Sequence, residues 1–337
     1  HLALSLAYDG VVRFDTPVFE AHDSGVMQWV IGDIKVISIV EQDLGDLATL
    51  IPGATTEVLD KLDWLRPDFV DGDGTMTGLI QTFIVETPDL KIVVDTCVGN
   101  DKERPAIEAW HRKQRKFLEK LEAAGYPPAS IDVVLCTHMH FDHVGWNTYL
   151  DGGHWKPTFP NARYLFSEKE FRHWEREAEK PALDPAQATS QEEMLHALLD
   201  PLTRQTRLDS VNPIVEAGLS ELVPQDHQIC PGVRLTPTHG HTPGHVSVVI
   251  TSRGETAFIT GDAIHHPVQI AVPELFTIAD SSPEGAQLTR KEILRQLADG
   301  DTLLIGSHFS EPTAGYVQKD QGGYRLCRDR PGASGSK

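Results

Sequence analysis

This 337-residue sequence predicts an α/β fold, and two observations carry the prediction. Short apolar, β-branched runs alternate with helical patterns along the chain. Four such runs lead directly into histidine or aspartate, at 131–136, 234–237, 257–260 and 302–306. A strand that delivers one polar side chain at its end, several times over, assembles a site along a sheet edge.

Taken in order, residues 34–40 and 79–86 read as strands from their β-branched content. Residues 91–95 follow as a strand after the turn Thr87-Pro88-Asp89. Residues 107–124 read as a helix with Trp110, Phe117, Leu118 and Leu121 on one side, stopped by Gly125 and Pro127-Pro128. Its basic run, residues 111–116, sits among Glu103, Glu108, Glu119 and Glu122 and reads as a solvated helix face. The strand 131–136 comes next.

Residues 148–233 are mixed and longer than a simple connection, the pattern of an insertion that lines or covers a pocket. Within them, 163–166 suggests a strand. Ser167 with Glu170 suggests a capping box opening a helix through Trp174, and 191–199 suggests another helix. The aromatics Trp155, Phe171 and Trp174 are candidates either for that pocket or for the core. Farther on, Ser281-Ser282-Pro283-Glu284 opens a helix ending near Ala298, and a final strand leads to His308. The domain organisation expected is an N-terminal extension at 1–30, a main domain at 31–330 with its middle insertion at about 148–233, and a flexible tail at 331–337. The extension is expected to pack on the domain or on a second subunit, as in a homodimer. The chain starts at His1, so any leader is expected to have been removed already.

Composition narrows the partners. A formal net charge of −19 opposes a phosphate backbone, so no nucleic acid is expected. No stretch of about 18 apolar residues exists, so no membrane span is expected. The four cysteines, Cys97, Cys136, Cys230 and Cys327, lack CxxC spacing and are too scattered for a disulfide framework, which leans toward a cytoplasmic setting.

The chemistry concentrates in Thr137-His138-Met139-His140-Phe141-Asp142-His143. Neutral imidazole is a preferred ligand for zinc and neighbouring first-row metals, with carboxylate its usual companion. On a loop leaving a strand, His138 and His140 point the same way, while Asp142 and His143 turn to a second position. That suits two metals side by side. Further ligands must come from the 238–245 turn, with His239, His241 and His245, and from Asp262 and His308. His22, His111, His154, His173, His196 and His227 stand alone and are expected to be solvated or hydrogen-bonded.

These motifs, HxHxDH, then a histidine in a T-P-x-H-[ST]-x-G-H-like turn, then Gly261-Asp262, then a late histidine, resemble the metallo-β-lactamase superfamily. The resemblance runs from about 92 to 308 and implies a four-layer αββα sandwich. It further implies that His138, His140 and His241 hold one metal, that Asp142, His143 and His308 hold a second, and that Asp262 bridges them. It favours His241 over its neighbours, gives His245 the orientation of the turn, and makes Asp95 structural. The cofactor implied is two zinc ions per chain, with manganese, cobalt or iron as alternatives.

Two adjacent metals share a bridging hydroxide at neutral pH, and Asp142 is placed to pass a proton to the leaving group. The general outline is similar to the branch of N-acyl-homoserine lactonases and methyl-parathion-hydrolase-like enzymes. It implies a hydrolase for a small-molecule lactone or other carboxylic ester, with phosphotriesters, aryl esters or hydrolytic dehalogenation as alternatives. Many lactonases carry a tyrosine three residues after the bridging aspartate, where this chain has His265. His265, or its neighbour His266, is expected to donate a hydrogen bond to the substrate. Glyoxalase-II-like action is disfavoured because only 29 residues, without a helical pattern, follow His308. A structural zinc scaffold is disfavoured too, since such sites close all four positions without a bridging aspartate.

Overall fold

The computed structural model describes residues 26–181 and 201–331. Most of the N-terminal extension, the helix expected at 191–199 and the tail from 332 onward lie outside the described residues.

The first sheet is built from β1 (Val26–Ile31), β2 (Ile34–Asp43), β3 (Leu79–Glu86), β4 (Lys91–Val94) and β5 (Val133–Cys136). A short separate hairpin, β6 (Thr148–Asp151) and β7 (His154–Pro157), precedes its last two strands, β8 (Arg163–Ser167) and β9 (Ser220–Val223). The order is β1-β2-β3-β4-β5-β8-β9, antiparallel as far as β4 and parallel beyond it. The segment expected as an insertion thus supplies two strands of this sheet. The second sheet runs in chain order from β10 (Gln228–Cys230), β11 (Val233–Pro237), β12 (Val246–Ser252) and β13 (Glu255–Ile259) to β14 (Leu303–Ile305), β15 (Ala314–Asp320) and β16 (Gly323–Cys327). Only β13 and β14 pair in parallel within it.

Side-chain alternation along the strands stacks these sheets. Phe83, Val85, Ile92, Val94, Val133 and Leu135 point inward and meet Val248, Ile250, Ala257, Ile259, Leu303 and Ile305 of the second sheet. The alternate residues Ile84, Val93, Val134 and Cys136 point outward and pack on Phe117, Leu121, Phe171 and Ile214. On the far side Phe258, Leu304, Val317 and Leu326 pack on Ile293, Leu294 and Leu297 of the helix Pro283–Leu297. The layers are helix, sheet, sheet, helix, the αββα sandwich that the resemblance implied.

Polar bonds cross between the sheets at both ends. At one, Gly32 N and Asp33 N donate to Glu255 Oε2 and Ser252 Oγ, both at 3.0 Å. The other end carries the set that follows. Leu79 N donates to the His308 carbonyl at 2.9 Å, and Val246 N donates to the Thr137 carbonyl at 3.0 Å. The buried Gln81 amide of β3 donates to the carbonyls of Phe309 and Ser307, at 3.1 and 3.3 Å. The turns that follow β4, β5, β11, β13 and β14 gather at that end.

Two expectations are corrected. The helix expected over 107–124 is confined to Phe117–Ala123. Before it the chain doubles back: Arg112 adopts a positive φ of 49°, its N–H donates to the Lys102 carbonyl, and Asp101 N donates to the Lys113 carbonyl. Trp110 satisfies the apolar pattern by packing on Phe141, with ring centroids 5.1 Å apart, rather than on a helix face. The basic run is therefore a folded loop, with Arg112 on Glu103 and Arg115 reaching the Ala109 carbonyl. Second, the strand before His308 is not the last. β15 and β16 follow as a hairpin on the sheet edge.

That doubled-back loop is tied down by a buried ionic cluster. Arg104 donates to both oxygens of Asp209, at 2.7 and 3.0 Å. Lys102 Nζ donates to Thr148 Oγ1 and the Asp209 carbonyl, and lies 3.7 Å over the half-buried Trp155 ring. Burial pushes the Lys102 ammonium down to about 7, against the opposing pull of Asp209. Breaking a buried pair leaves an uncompensated charge, so Arg104→Ala is expected to cost about 3–5 kcal/mol in urea unfolding. A loss of only about 0–1 kcal/mol, the size for an exposed pair, would show that the cluster does not anchor the loop.

Candidate metal centre

Each turn is shaped by local constraints. Asp95, directly after β4, takes a positive φ of 60° and turns its carboxylate back over the end of β5. There Oδ1 accepts from Thr137 N at 2.7 Å, while Oδ2 accepts from Thr137 Oγ1 and His143 Nδ1, both at 2.9 Å. Gly261 takes φ 54°, and a Cβ there would lie 2.6 Å from His245 Nε2. Only glycine allows that approach, through which Asp262 N donates to His245 Nε2 at 2.9 Å.

The side chains converge in two groups. His138 Nε2 and His241 Nε2 lie 3.0 and 2.9 Å from His140 Nδ1, and Asp262 Oδ2 lies 3.6 and 3.3 Å from those two Nε2 atoms. In the second group His143 Nε2 and His308 Nε2 are 3.3 Å apart, and Asp142 Oδ2 is 3.7 and 3.8 Å from them. Asp262 Oδ1 faces this second pair at 3.2 Å from each. Each carboxylate oxygen of Asp262 therefore addresses a different set of imidazoles.

The outer ring nitrogens fix the tautomers. His143 Nδ1 meets Asp95, His241 Nδ1 meets Asp280 Oδ1 at 2.9 Å, and His308 Nδ1 meets the Leu79 carbonyl at 2.9 Å. The Thr137 hydroxyl spends its hydrogen on Asp95, so at 3.1 Å it accepts from His138 Nδ1. In all four rings Nδ1 is the donor, which leaves Nε2 turned inward, the orientation that metal-ligating histidines take.

The residues fit a divalent cation. Ring nitrogens of five histidines turn toward one another at 2.9–3.3 Å around a shared buried carboxylate. Among the described residues, Asp262 Oδ1 is buried without a hydrogen-bond partner. The donor set is imidazole nitrogen with carboxylate oxygen, that of zinc and its neighbours. Electrostatics agree. Burial pushes His138 and His140 well below the usual imidazole range. Burial would raise Asp262, but the imidazoles, His143 and His308 first, hold it well below the carboxylate range. His143 goes the other way: burial lowers it, and Asp262, Asp95 and Asp142 together hold it well above.

All seven sequence candidates, His138, His140, Asp142, His143, His241, Asp262 and His308, fall into these two groups. Neither rival in the 238–245 turn does. His245 is pushed down to about 3 by burial and accepts from Asp262 N. His239 is half-buried against Gln225. His266 is closed off, its Nε2 donating to the Phe69 carbonyl at 2.9 Å and its Nδ1 accepting from Val268 N. His265 differs. Its Nε2 lies 3.1 Å from Asp262 Oδ2, its ring stacks on His308, and its buried Nδ1 has no partner among the described residues. Of the aromatic candidates, Phe171 is in the core, whereas Trp174 sets its ring edge-on to His140 at 5.4 Å. The sequence reading missed Asp280, a single aspartate before a helix, and the reach of Glu170.

A model of the metallo-beta-lactamase superfamily matches residues 76–308. The chain belongs to that superfamily. An N-acyl homoserine lactonase of a Bacillus species is 25% identical over 194 residues, 54% of this chain and 62% of the relative. The chain thus matches less than two thirds of that relative's length. Among solved structures, hydrolase AbOPH of the beta-lactamase superfamily superposes with a TM-score of 0.71 at 24% identity, covering 92% of this chain and 99% of that one. The dizinc quorum-quenching lactonase AidC, in complex with its product, gives a TM-score of 0.72 at 21% identity, covering 91% and 98%. At that identity the two structures speak for the shared fold. Among the described residues no helix is long and apolar enough to cross a membrane.

Asp95 touches no inward-facing atom, yet it holds both His143 and Thr137. Partners of this kind tune metal affinity by about 10–100-fold. Asp95→Asn is expected to weaken zinc uptake by that factor in competition with a chromophoric chelator, and unchanged affinity would count against the anchor.

Proposed function

We propose that this chain is a dinuclear metal-dependent hydrolase that opens a lactone or cleaves a related carboxylic ester. The observation that carries the reading is the division of Asp262, with one oxygen toward His138 and His241 and the other toward His143 and His308. A carboxylate that serves two ligand sets is what a pair of ions requires, and a single closed structural site has no use for it. The sequence similarity to N-acyl homoserine lactonases supports lactones as the first substrate class to test.

In this reading His138, His140 and His241 hold one ion and Asp142, His143 and His308 the other, with Asp262 shared. Zinc is the first expectation; manganese, cobalt and iron accept the same donors. When bound, such a pair lowers the pKa of a shared water toward neutrality and polarises the scissile carbonyl. The protein's own groups do the rest. Asp142, its side chain 12% exposed beside this centre, turns Oδ2 to His143 and His308. Its other oxygen, Oδ1, is therefore the one to take the proton that the attacking water gives up and pass it to the departing oxygen. His265 is neutral, since burial lowers its pKa against the pull of Asp262. It directs Nε2–H to the side of Asp262 Oδ2, where a substrate oxygen can accept it. His266 has no free nitrogen for that task.

The direct test is acid release from short- and long-chain homoserine lactones and simple γ- and δ-lactones, with a chelated control. Chelator-sensitive turnover at about 10⁴ M⁻¹s⁻¹ or above is expected. Turnover confined to phosphotriesters or aryl esters would replace the substrate class and keep the metal centre. His140→Ala and Asp262→Ala are expected to lose metal and activity together; two ions per chain with full turnover in either would overturn the site. His265→Phe is expected to keep its metal and lose about 100-fold in kcat/KM, the usual scale for one lost donor to a reacting oxygen. An unchanged kcat/KM would end that role.

A further inference from the structure

Glu170 sits in the first turn of the helix Glu168–Glu179, where Ser167 caps the backbone. A capping box would send its carboxylate back to Ser167 N. The side chain goes the other way and is 1% exposed. Oε1 accepts from Met139 N at 3.1 Å and Trp174 Nε1 at 2.6 Å. Oε2 accepts from Thr242 Oγ1 at 2.8 Å and Gly244 N at 2.9 Å. All four acceptor positions of the carboxylate are filled.

The partners are what give this residue meaning. Met139 lies between His138 and His140, and Thr242 directly follows His241. Glu170 grips the chain one residue from each of three inward-facing imidazoles that come from different sheets. Gly244 abuts the helix so closely that a Cβ there would lie 2.1 Å from Glu170 N. The Trp174 ring that donates to Oε1 also supports His140 edge-on. Near His143 and His308 the anchors are other groups, Asp95 and the Leu79 carbonyl.

We propose that Glu170 is a positioning residue that fixes the turn of His138 and His140 against the turn of His241, and so sets the metal affinity of that group selectively. The proposal rests on the dinuclear reading. A second link, Val246 N to the Thr137 carbonyl, joins the same turns at one point. One bond permits rotation about itself, and Glu170 adds the attachment that removes it. Glutamine at this position keeps the length but turns an N–H₂ toward two donors, so it cannot hold both turns.

The test is cobalt(II) titration of the full chain against a competing chelator, read also by the cobalt d–d absorption. Glu170→Gln is made in a His308→Ala background, which leaves the His138, His140 and His241 group, and in a His241→Ala background, which leaves the other. The expected result is affinity weakened about 10–100-fold with an altered absorption band in the first background, and both unchanged in the second. Thr242→Val, which removes one donor of the four, is expected to give a smaller loss in the first background alone and carries the test if the glutamine variant does not fold. Equal losses in both backgrounds would make Glu170 a general structural residue, and no loss in the first would remove its role; either overturns the proposal. A parent chain that takes up no cobalt would instead overturn the metal-centre reading beneath it.

Discussion

The arrangement turns on one buried carboxylate. Asp262 is 3% exposed and lies within 3.6 Å of an imidazole nitrogen on each of five histidines, His138, His143, His241, His265 and His308. A lone carboxylate in that position would be prohibitively costly, so positive charge or strong donors must meet it. Imidazoles meet it only if they present the correct nitrogen, and that depends on what holds the other one. From this follow the anchors: Asp95, Asp280, Thr137 and the Leu79 carbonyl. Asp95, Thr137 and Leu79 stand at strand ends and Asp280 just before the helix Pro283–Leu297, so the requirement at the centre spreads outward to both sheets and to the helix layer.

The sandwich answers that requirement through its topology. β4 and β5 run parallel, and so do β13 and β14, so each pair delivers two turns to the same end. From the first pair come Asp95 and the His138–His143 turn; from the second come Asp262 and His308. β11 adds His241. The acidic anchors sit behind the imidazoles, where they set tautomers without competing for the inward-facing space. Even Asp280, held down to about 2 chiefly by His241 against its burial, serves this way.

How much of this was legible in the sequence depends on the range of the interaction. Strands such as 79–86 declared themselves through local alternation, and three imidazoles in six residues have no packing explanation. The resemblance then placed His241, Asp262 and His308. The region 107–116 misled because Trp110 and Ile107 have helical spacing, yet their partners are distant residues, and the positive φ of Arg112 leaves no local mark. Glu170 misled differently. Its position three residues after Ser167 matches a helix cap, and nothing local says that four donors from elsewhere will claim the carboxylate first. Asp280 carried no signal, because its role exists only once His241 stands beside it.

The interface between the two sheets has a mechanical consequence. Phe83, Val85 and Leu135 on one side and Val248, Ile250 and Ile259 on the other provide adhesion, and dispersion contacts of this kind are nearly indifferent to a small sideways slip. Alignment is a separate property. For the converging turns it resides in the few directional bonds beside them, from Gln81, Leu79 and Val246, while Gly32 and Asp33 pin the far end to Glu255 and Ser252. Thinning the apolar layer should loosen the whole body while sparing the aim of the imidazoles. Cutting a directional bond should spoil the aim and leave the body nearly as firm. In this molecule, cohesion and accuracy have different addresses.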